Sequence, residues 1–418
     1  MSRMFYGWRI VAVCLAASVF ANALGLFGAG VYLHALVEEN GWPTGLVSGA
    51  ITLFYVVSAL LLVPVGGILG RFGPRPVFAL GISALAGGVA AIGHVATPWQ
   101  TYAAFVVMGV GWACLSMTAV ATTLAPWFER HQGRAVSIAS LGASVGGLAG
   151  VPVLLFGIDR LGFATTTTLG AAGALLVMLP LAAFVLRRRP QDIGLLPDGA
   201  AAVASITGTR AAAWNRRDAL RTAALRSVMM GFGIGMMVQV GFVTHQVTLL
   251  LPTLGAAGTS IAVSMTAMAA LLSRLVLARF ADQMSARTTA AVMLTVAAGA
   301  LAAMAIWPVP AMLVAGSMLM GMRIGNVTTL APIIVRREFG AASFGAVYGI
   351  ASCVIQLATA LGPSFYGLLH DAFGGYRAPL LLAATVDVVA ALVILGGRAG
   401  KAVPPTDKPH GTSPSSSS

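Results

Sequence analysis

The chain has 418 residues, 58% of them hydrophobic and 9% charged, with a formal net charge of +13. A soluble protein keeps about a quarter of its residues charged, so this composition excludes an ordinary soluble domain. The positive charge raises the question of nucleic acid, and its placement along the chain answers it.

Taken in order, twelve apolar blocks fill the sequence, at roughly 9–36, 46–69, 76–95, 99–126, 133–157, 163–186, 225–251, 257–280, 287–307, 310–334, 343–369 and 377–397. A helix crossing a bilayer needs about 20 mostly apolar residues. Lipid tolerates only helices or closed barrels, and these blocks are far too long for barrel strands. They are read as spans one to twelve of an all-α membrane protein, twelve transmembrane helices in two six-helix halves. The start, with Arg3, Arg9 and Ala21-Asn22-Ala23, mimics a signal peptide. The apolar run continues past that site to Leu36, so it is read as a retained first span. Cys14, Cys114 and Cys353 lie in separate blocks without metal-ligand spacing and are read as packing residues. No metal or cofactor is implied.

The 25 Lys and Arg are unevenly distributed. With the N-terminus inside, 21 fall on the cytoplasmic side, Arg160 and Arg377 fall outside, and Arg274 and Arg323 lie within blocks. This is the positive-inside pattern, which places both termini in the cytoplasm. The basic excess is topogenic and needs no nucleic-acid partner. The partners it leaves are the lipid bilayer and a small molecule, with the chain expected to act as a monomer.

The longest polar segment, 187–222, separates six blocks from six. Shifted by 212, Met108-Gly109 falls on Met320-Gly321, Gly133 on Gly345, Ile138-Ala139-Ser140 on Ile350-Ala351-Ser352, Gly150 on Gly362, Asp159 on Asp371 and Gly162 on Gly374. One offset joining the fourth and fifth blocks to the tenth and eleventh marks a parallel repeat, one of the architectures of secondary transporters. The chain therefore divides into an N-terminal bundle (1–186), a cytoplasmic linker (187–222), a C-terminal bundle (223–398) and a polar, Ser-rich tail (399–418) expected to be disordered.

Between spans two and three the sequence reads GGILGRFGPRP, Gly66 to Pro76, and its C-terminal counterpart is ARFADQMSAR, Ala278 to Arg287. These resemble the loop motif G-x-L-x-D-R-x-G-R-R of the major facilitator superfamily. The first copy keeps Gly66, Arg71, Gly73 and Arg75 but has Gly70 for the aspartate; the second keeps Asp282 and Arg287 but has Gln283 for the arginine. In that family the loop holds the two halves together on the cytoplasmic side. FYGWRIV, APWFERHQGRA, RRRPQDIGLLPDG and LGPSFYGLLHDAFGGY further resemble the bacterial monocarboxylate-transporter-like branch, which includes oxalate–formate antiporter relatives. The resemblance implies a bacterial inner (cytoplasmic) membrane as the location, and a central cavity lined by spans one, four, seven and ten.

A charge at the bilayer centre costs from about 3 to more than 10 kcal/mol, so intramembrane charges need a reason. Arg323, in span ten, is 13 residues from both Pro310 and Arg336, roughly 20 Å along the helix from either marker. That is beyond the reach of snorkelling. It is expected to face the cavity as an anion site, with a buried partner as the alternative. Arg274, in span eight, is five residues before Arg279 and so about 7 Å inside the cytoplasmic end, where snorkelling is open to it. The resemblance instead implies the role of the arginine that binds the substrate carboxylate in monocarboxylate transporters. Ala270 stands where the eukaryotic members carry an aspartate, and span eleven lacks the lysine of the oxalate-type members. A guanidinium suits a carboxylate because its planar fork makes two parallel charged hydrogen bonds. Asp387, in span twelve, is expected to be a hydrogen-bonded carboxylate between helices, with a proton-carrying role as the alternative. His34 and His245-Gln246 lie near the outer ends of spans one and seven and are candidates for proton coupling and substrate contact. Gln239, Asn326, Tyr32 and Asn22 are further polar candidates.

No Walker-type G-x-x-x-x-G-K-[ST] is present, and no nucleophile–base or metal set suggests an enzyme. The expected function is secondary transport of a small organic anion, first of all a monocarboxylate, by proton coupling or exchange. The alternative is a multidrug-type exporter of hydrophobic or cationic compounds, although spans one, two and four lack the interior acid that would favour it.

Overall fold

The computed structural model describes residues 5–129, 131–199, 214, 216–280, 284–340 and 343–397. Asp282 of the loop motif and the tail from 398 onward lie outside the described residues. Eleven helices among the described residues are long and apolar enough to cross a membrane. They are Gly7–Asn40, Thr44–Phe72, Pro74–Ile92, Pro98–Leu124, Gln132–Leu161, Phe163–Val185, Ala223–Leu277, Ala286–Ile306, Pro310–Phe339, Val347–Phe373 and Arg377–Gly396.

The seventh of these is two spans. The helical stretch Ala223–Phe280 is broken at Gly255, with φ 65° and ψ 179°. Gln246 Nε2 donates to Thr266 Oγ1 at 2.8 Å. In a straight helix those residues would stand roughly 30 Å apart, so the chain folds back at Gly255 and spans seven and eight form a hairpin. The total is twelve, as the apolar blocks predict. The ends obey local rules. Proline opens spans three, four and ten at Pro74, Pro98 and Pro310, where its missing N–H costs nothing. Gly41 and Gly374 close spans one and eleven in the left-handed conformation.

The repeat is visible in the packing. A Cβ on Gly109 would lie 2.7 Å from the Phe54 carbonyl oxygen, so span four touches the span-two backbone. Gly321 makes the same approach to the Thr266 carbonyl, span ten against span eight. Both residues of the second contact lie 212 positions after those of the first. Aromatic plugs repeat as well. Buried Trp127 meets the rings of Phe5 and Tyr6 at 6.3 and 5.7 Å, ahead of span one. Phe339, again 212 positions on, meets Trp214 at 5.4 Å, ahead of span seven. The linker lies first along the N-terminal half. Asp198 accepts from Glu129 N at 2.8 Å, its own N–H donates to Trp127 O, and Arg188 donates to Gly70 O. It then reaches the C-terminal half through Trp214 N, which donates to Ser343 Oγ at 2.7 Å.

Candidate functional site

The halves meet along a seam near the turns at 41–43, 255 and 374, at the end opposite the linker. Spans two and eleven run antiparallel there. Gly45 N donates to Asp371 Oδ2 at 2.7 Å, and Thr52 Oγ1 pairs with Ser364 Oγ at 2.7 Å. Spans five and eight meet where Ser264 Oγ donates to Leu148 O at 2.9 Å. Span one meets span seven at Gly30, where a Cβ would sit 2.7 Å from the Thr244 carbonyl oxygen.

His245 sits at the centre of this seam, 1% exposed. Its Nε2 lies 3.0 Å from the Pro363 carbonyl oxygen and 3.2 Å from Ser48 Oγ; its Nδ1 lies 2.9 Å from Tyr376 OH. A carbonyl only accepts, so Nε2 carries the proton and Nδ1 accepts from the Tyr376 hydroxyl. Tyr366 stacks on the ring at 5.7 Å and 22°.

Toward the other end the same two helix faces part. Val63 lies 11 residues after Thr52 and Cys353 lies 11 before Ser364, three turns along the same faces. Val63 is 81% exposed and Cys353 is exposed too. Side chains at Gly66, Gly67 and Gly70 would meet open space. Among the described residues of the loop motif, no hydrogen bond or ion pair joins the halves. Arg75 donates to Leu186 O at 2.6 Å, and Arg71 lies over the neighbouring Phe72 ring. Gly73, at φ 83°, makes the turn between spans two and three. Arg287 stays inside its own half, bound to Glu338 at 2.6 and 2.8 Å, to Ile394 O at 2.7 Å, and to Ala224 O and Ser227 Oγ.

The expectation for Arg323 is corrected. Its guanidinium is fully buried and forks onto Asp387, Nη1 to Oδ2 at 2.9 Å and Nη2 to Oδ1 at 3.1 Å. Nη2 also reaches the Gly235 carbonyl of span seven. The geometry is that of the alternative, a buried partner, and that partner is the intramembrane acid of span twelve. Arg323 is a counter-charge already met, and Asp387 is an ion-paired carboxylate.

Arg274 is the opposite case. It is half-buried, its Nε donates to the Gly325 carbonyl of span ten at 3.1 Å, and its two Nη groups have no hydrogen-bond partner among the described residues. Ala267, seven residues or two turns earlier, lies on the same face and packs at Gly147 of span five. Arg274 thus stands on the face of span eight that meets the other half, toward the separated end. The two arginines do not share a site, because Arg323 turns to spans seven and twelve.

The other candidates scatter. His34 Nε2 pairs with Glu38 at 2.9 Å. Asn22 donates to Ser18 O of its own span. Tyr32 is buried against the Phe163 ring, its hydroxyl unpartnered. Asn326 faces Met293 of span nine at 3.8 Å, and Gln239 is buried with Oε1 unpartnered. Gln246 is held by Thr266 within its own half. The sequence reading missed Ser48, Tyr376, Pro363 and Glu338. Nothing local marks them, since each matters through a partner more than 50 residues away.

Two six-span halves, built as a repeat and touching along one end of a seam, define a polytopic membrane protein of the two-bundle carrier type. The Major Facilitator Superfamily model matches residues 15–308 and 247–417, and the chain belongs to that family, whose members are transporters and not enzymes. A curated relative, the uncharacterized MFS-type transporter YcxA of Bacillus subtilis (strain 168), is 23% identical over 181 residues, 43% of this chain. The match spans 44% of that relative's length. Two solved structures of a bacterial homologue of the human lysosomal transporter Spinster share the fold. The inward-facing, unoccupied form has a TM-score of 0.69 at 14% identity, covering 95% of this chain and 96% of that one. The inward-facing, occupied form has 0.69 at 13%, covering 94% and 96%.

Proposed function

We propose that this protein is a secondary transporter of a small organic anion, a monocarboxylate first, and that Arg274 binds it. The observation that carries the reading is the pair of unpartnered Nη groups on Arg274, within a membrane span and on the face toward the other half. Arg274 lies five residues before Arg279, about 7 Å inside the end of its span, and a guanidinium there on a face toward the other half is open to an anionic ligand. Arg323 has its counter-charge inside the protein, and Arg274 has none among the described residues. A carboxylate completes the fork with two charged hydrogen bonds. The resemblance to monocarboxylate transporters, in which an arginine of span eight has this role, supports the same residue. The halves would rock about the site, closing the inner faces as the outer seam opens, with proton coupling or exchange driving net movement. The 21 to 2 charge distribution supports cytoplasmic termini and an inner-membrane location, with the chain acting alone.

The test is thermal stabilisation of the purified protein by small carboxylates, neutral solutes and lipophilic cations. Ligand at about 100 times its Kd adds about 2.7 kcal/mol to stability. Carboxylates are expected to raise Tm in the native protein and not in Arg274→Ala. A shift with lipophilic cations alone would replace this reading with the multidrug-type exporter.

A further inference from the structure

The transporter reading leaves open what drives the outer seam. His245 offers an answer independent of Arg274. In the closed seam its ring uses one proton, given from Nε2 to Pro363 O, while Nδ1 is occupied by the Tyr376 hydroxyl. The ring is buried by contributions from both halves: Ser48 of span two comes from one, and Pro363, Tyr366 and Tyr376 from the other.

The groups able to meet a second ring proton can be taken element by element. Span two supplies Ser48, whose hydroxyl donates to Thr44 O, and no ionisable group there touches the ring. At the outer end of span one, His34 and Glu38 pair with each other. Span eleven supplies Tyr366, His370 and Asp371, and the turn after it supplies Tyr376. Asp371 is the carboxylate of this cluster. It is engaged by Gly45 N at 2.7 Å and by His370 Nδ1 at 3.3 Å, and does not touch the imidazole. A phenol can turn to accept from Nδ1–H, so hydrogen bonding survives protonation. The charge does not find a contact counter-ion, and a buried charge without one is costly. Separating the halves removes that cost by admitting water.

We propose that His245 is a proton-binding site of the outer seam. A second ring proton taken from the outer side favours separated halves, and its loss lets the seam close as it stands here. An anion entering the open form then meets a carrier already holding a proton. Closure requires that the proton leave or be neutralised by the bound anion, which links the two movements.

The experiment needs no substrate. Spin labels are placed at Glu39→Cys and Ala372→Cys, exposed outer positions on the two halves, in a Cys353→Ser background. The interlabel distance distribution is measured in lipid nanodiscs between about pH 8 and about pH 5, the range in which a histidine titrates. The native seam is expected to gain a longer-distance population as pH falls. His245→Gln should lose that gain, and His370→Gln should keep it. Tyr376→Phe removes the donor to Nδ1, so the neutral ring loses support and opening should move to higher pH; this variant decides the matter if His245→Gln does not fold. A pH-independent distance in the native protein would overturn the proposal. So would a response that survives His245→Gln, that is abolished in His370→Gln, or that is unmoved by Tyr376→Phe. Carboxylate binding at Arg274 is read separately, so either idea can fail alone.

Discussion

The two halves share a scaffold and differ in where they keep charge. The close approach of Gly109 to span two is repeated by Gly321 to span eight. Two residues further on the copies diverge. Gly111 lets span four lie against span three, where a Cβ would be 2.7 Å from Gly81 O; its counterpart 212 positions later is Arg323. The counterpart of Asp387 is Leu175, a half-buried residue. The second half has thus gained an ion pair in a place where the first has a glycine and a leucine. The clamps show the same trend. Arg75 and Arg287 occupy equivalent positions, and each ties the start of one span to the end of the half, at Leu186 and Ile394. Arg287 also has Glu338, whereas Nη2 of Arg75 is buried without a hydrogen-bond partner among the described residues. Duplication preserves backbone contacts, because those need only small residues. It does not preserve charge, because a buried ion requires its partner to change with it.

The largest break in this comparison is expected from Asp387→Leu. It leaves Arg323 buried and unpaired, which costs about 3–5 kcal/mol and should appear as a large loss of Tm. Arg323→Met combined with Asp387→Leu should recover most of that loss, making the second half resemble the first. Arg287→Gln comes next, at about 3 kcal/mol for a paired, largely buried guanidinium. Arg75→Gln should cost about 1 kcal/mol, the value of a single hydrogen bond; equal losses would mean that Glu338 adds nothing. Gly109→Ala and Gly321→Ala overpack the shared backbone contact, about 1–3 kcal/mol each, and should be alike if the scaffold is truly repeated. The smallest energetic effect is expected from Val63→Cys. With native Cys353 it should crosslink only when the inner faces close, and a rapid crosslink in the state described here would contradict the separation of those faces.

Much of this was legible in the sequence. Twelve spans follow from apolar block lengths, and the repeat from one offset shared by several small residues. The hairpin at Gly255 needed only the gap between two blocks. What the sequence could not tell was which way a polar residue faces. Arg323 and Asp387 are 64 residues apart, and span twelve gives no sign that its acid turns toward span ten. Helical periodicity is weak in an apolar helix buried on most sides, so Asn326, Gln246 and Arg274 look alike until their neighbours are known. The histidine at 245 could be singled out by its type. Ser48 and Tyr376, which define its chemistry, could not, because serine and tyrosine near a membrane surface are common for ordinary reasons.

The aromatic plugs carry a last consequence. Phe5 and Tyr6 seal one bundle at Trp127, and Trp214 seals the other at Phe339, so each bundle brings its own stopper just ahead of its first helix. The described linker contacts, at Arg188, Asp198 and Trp214, each tie it to one bundle only. Two separate polypeptides, 1–199 and 214–418, should each insert and find the other in the membrane. A gene for this carrier could then be cut in two at that point, or its halves exchanged with those of a relative, as interchangeable parts.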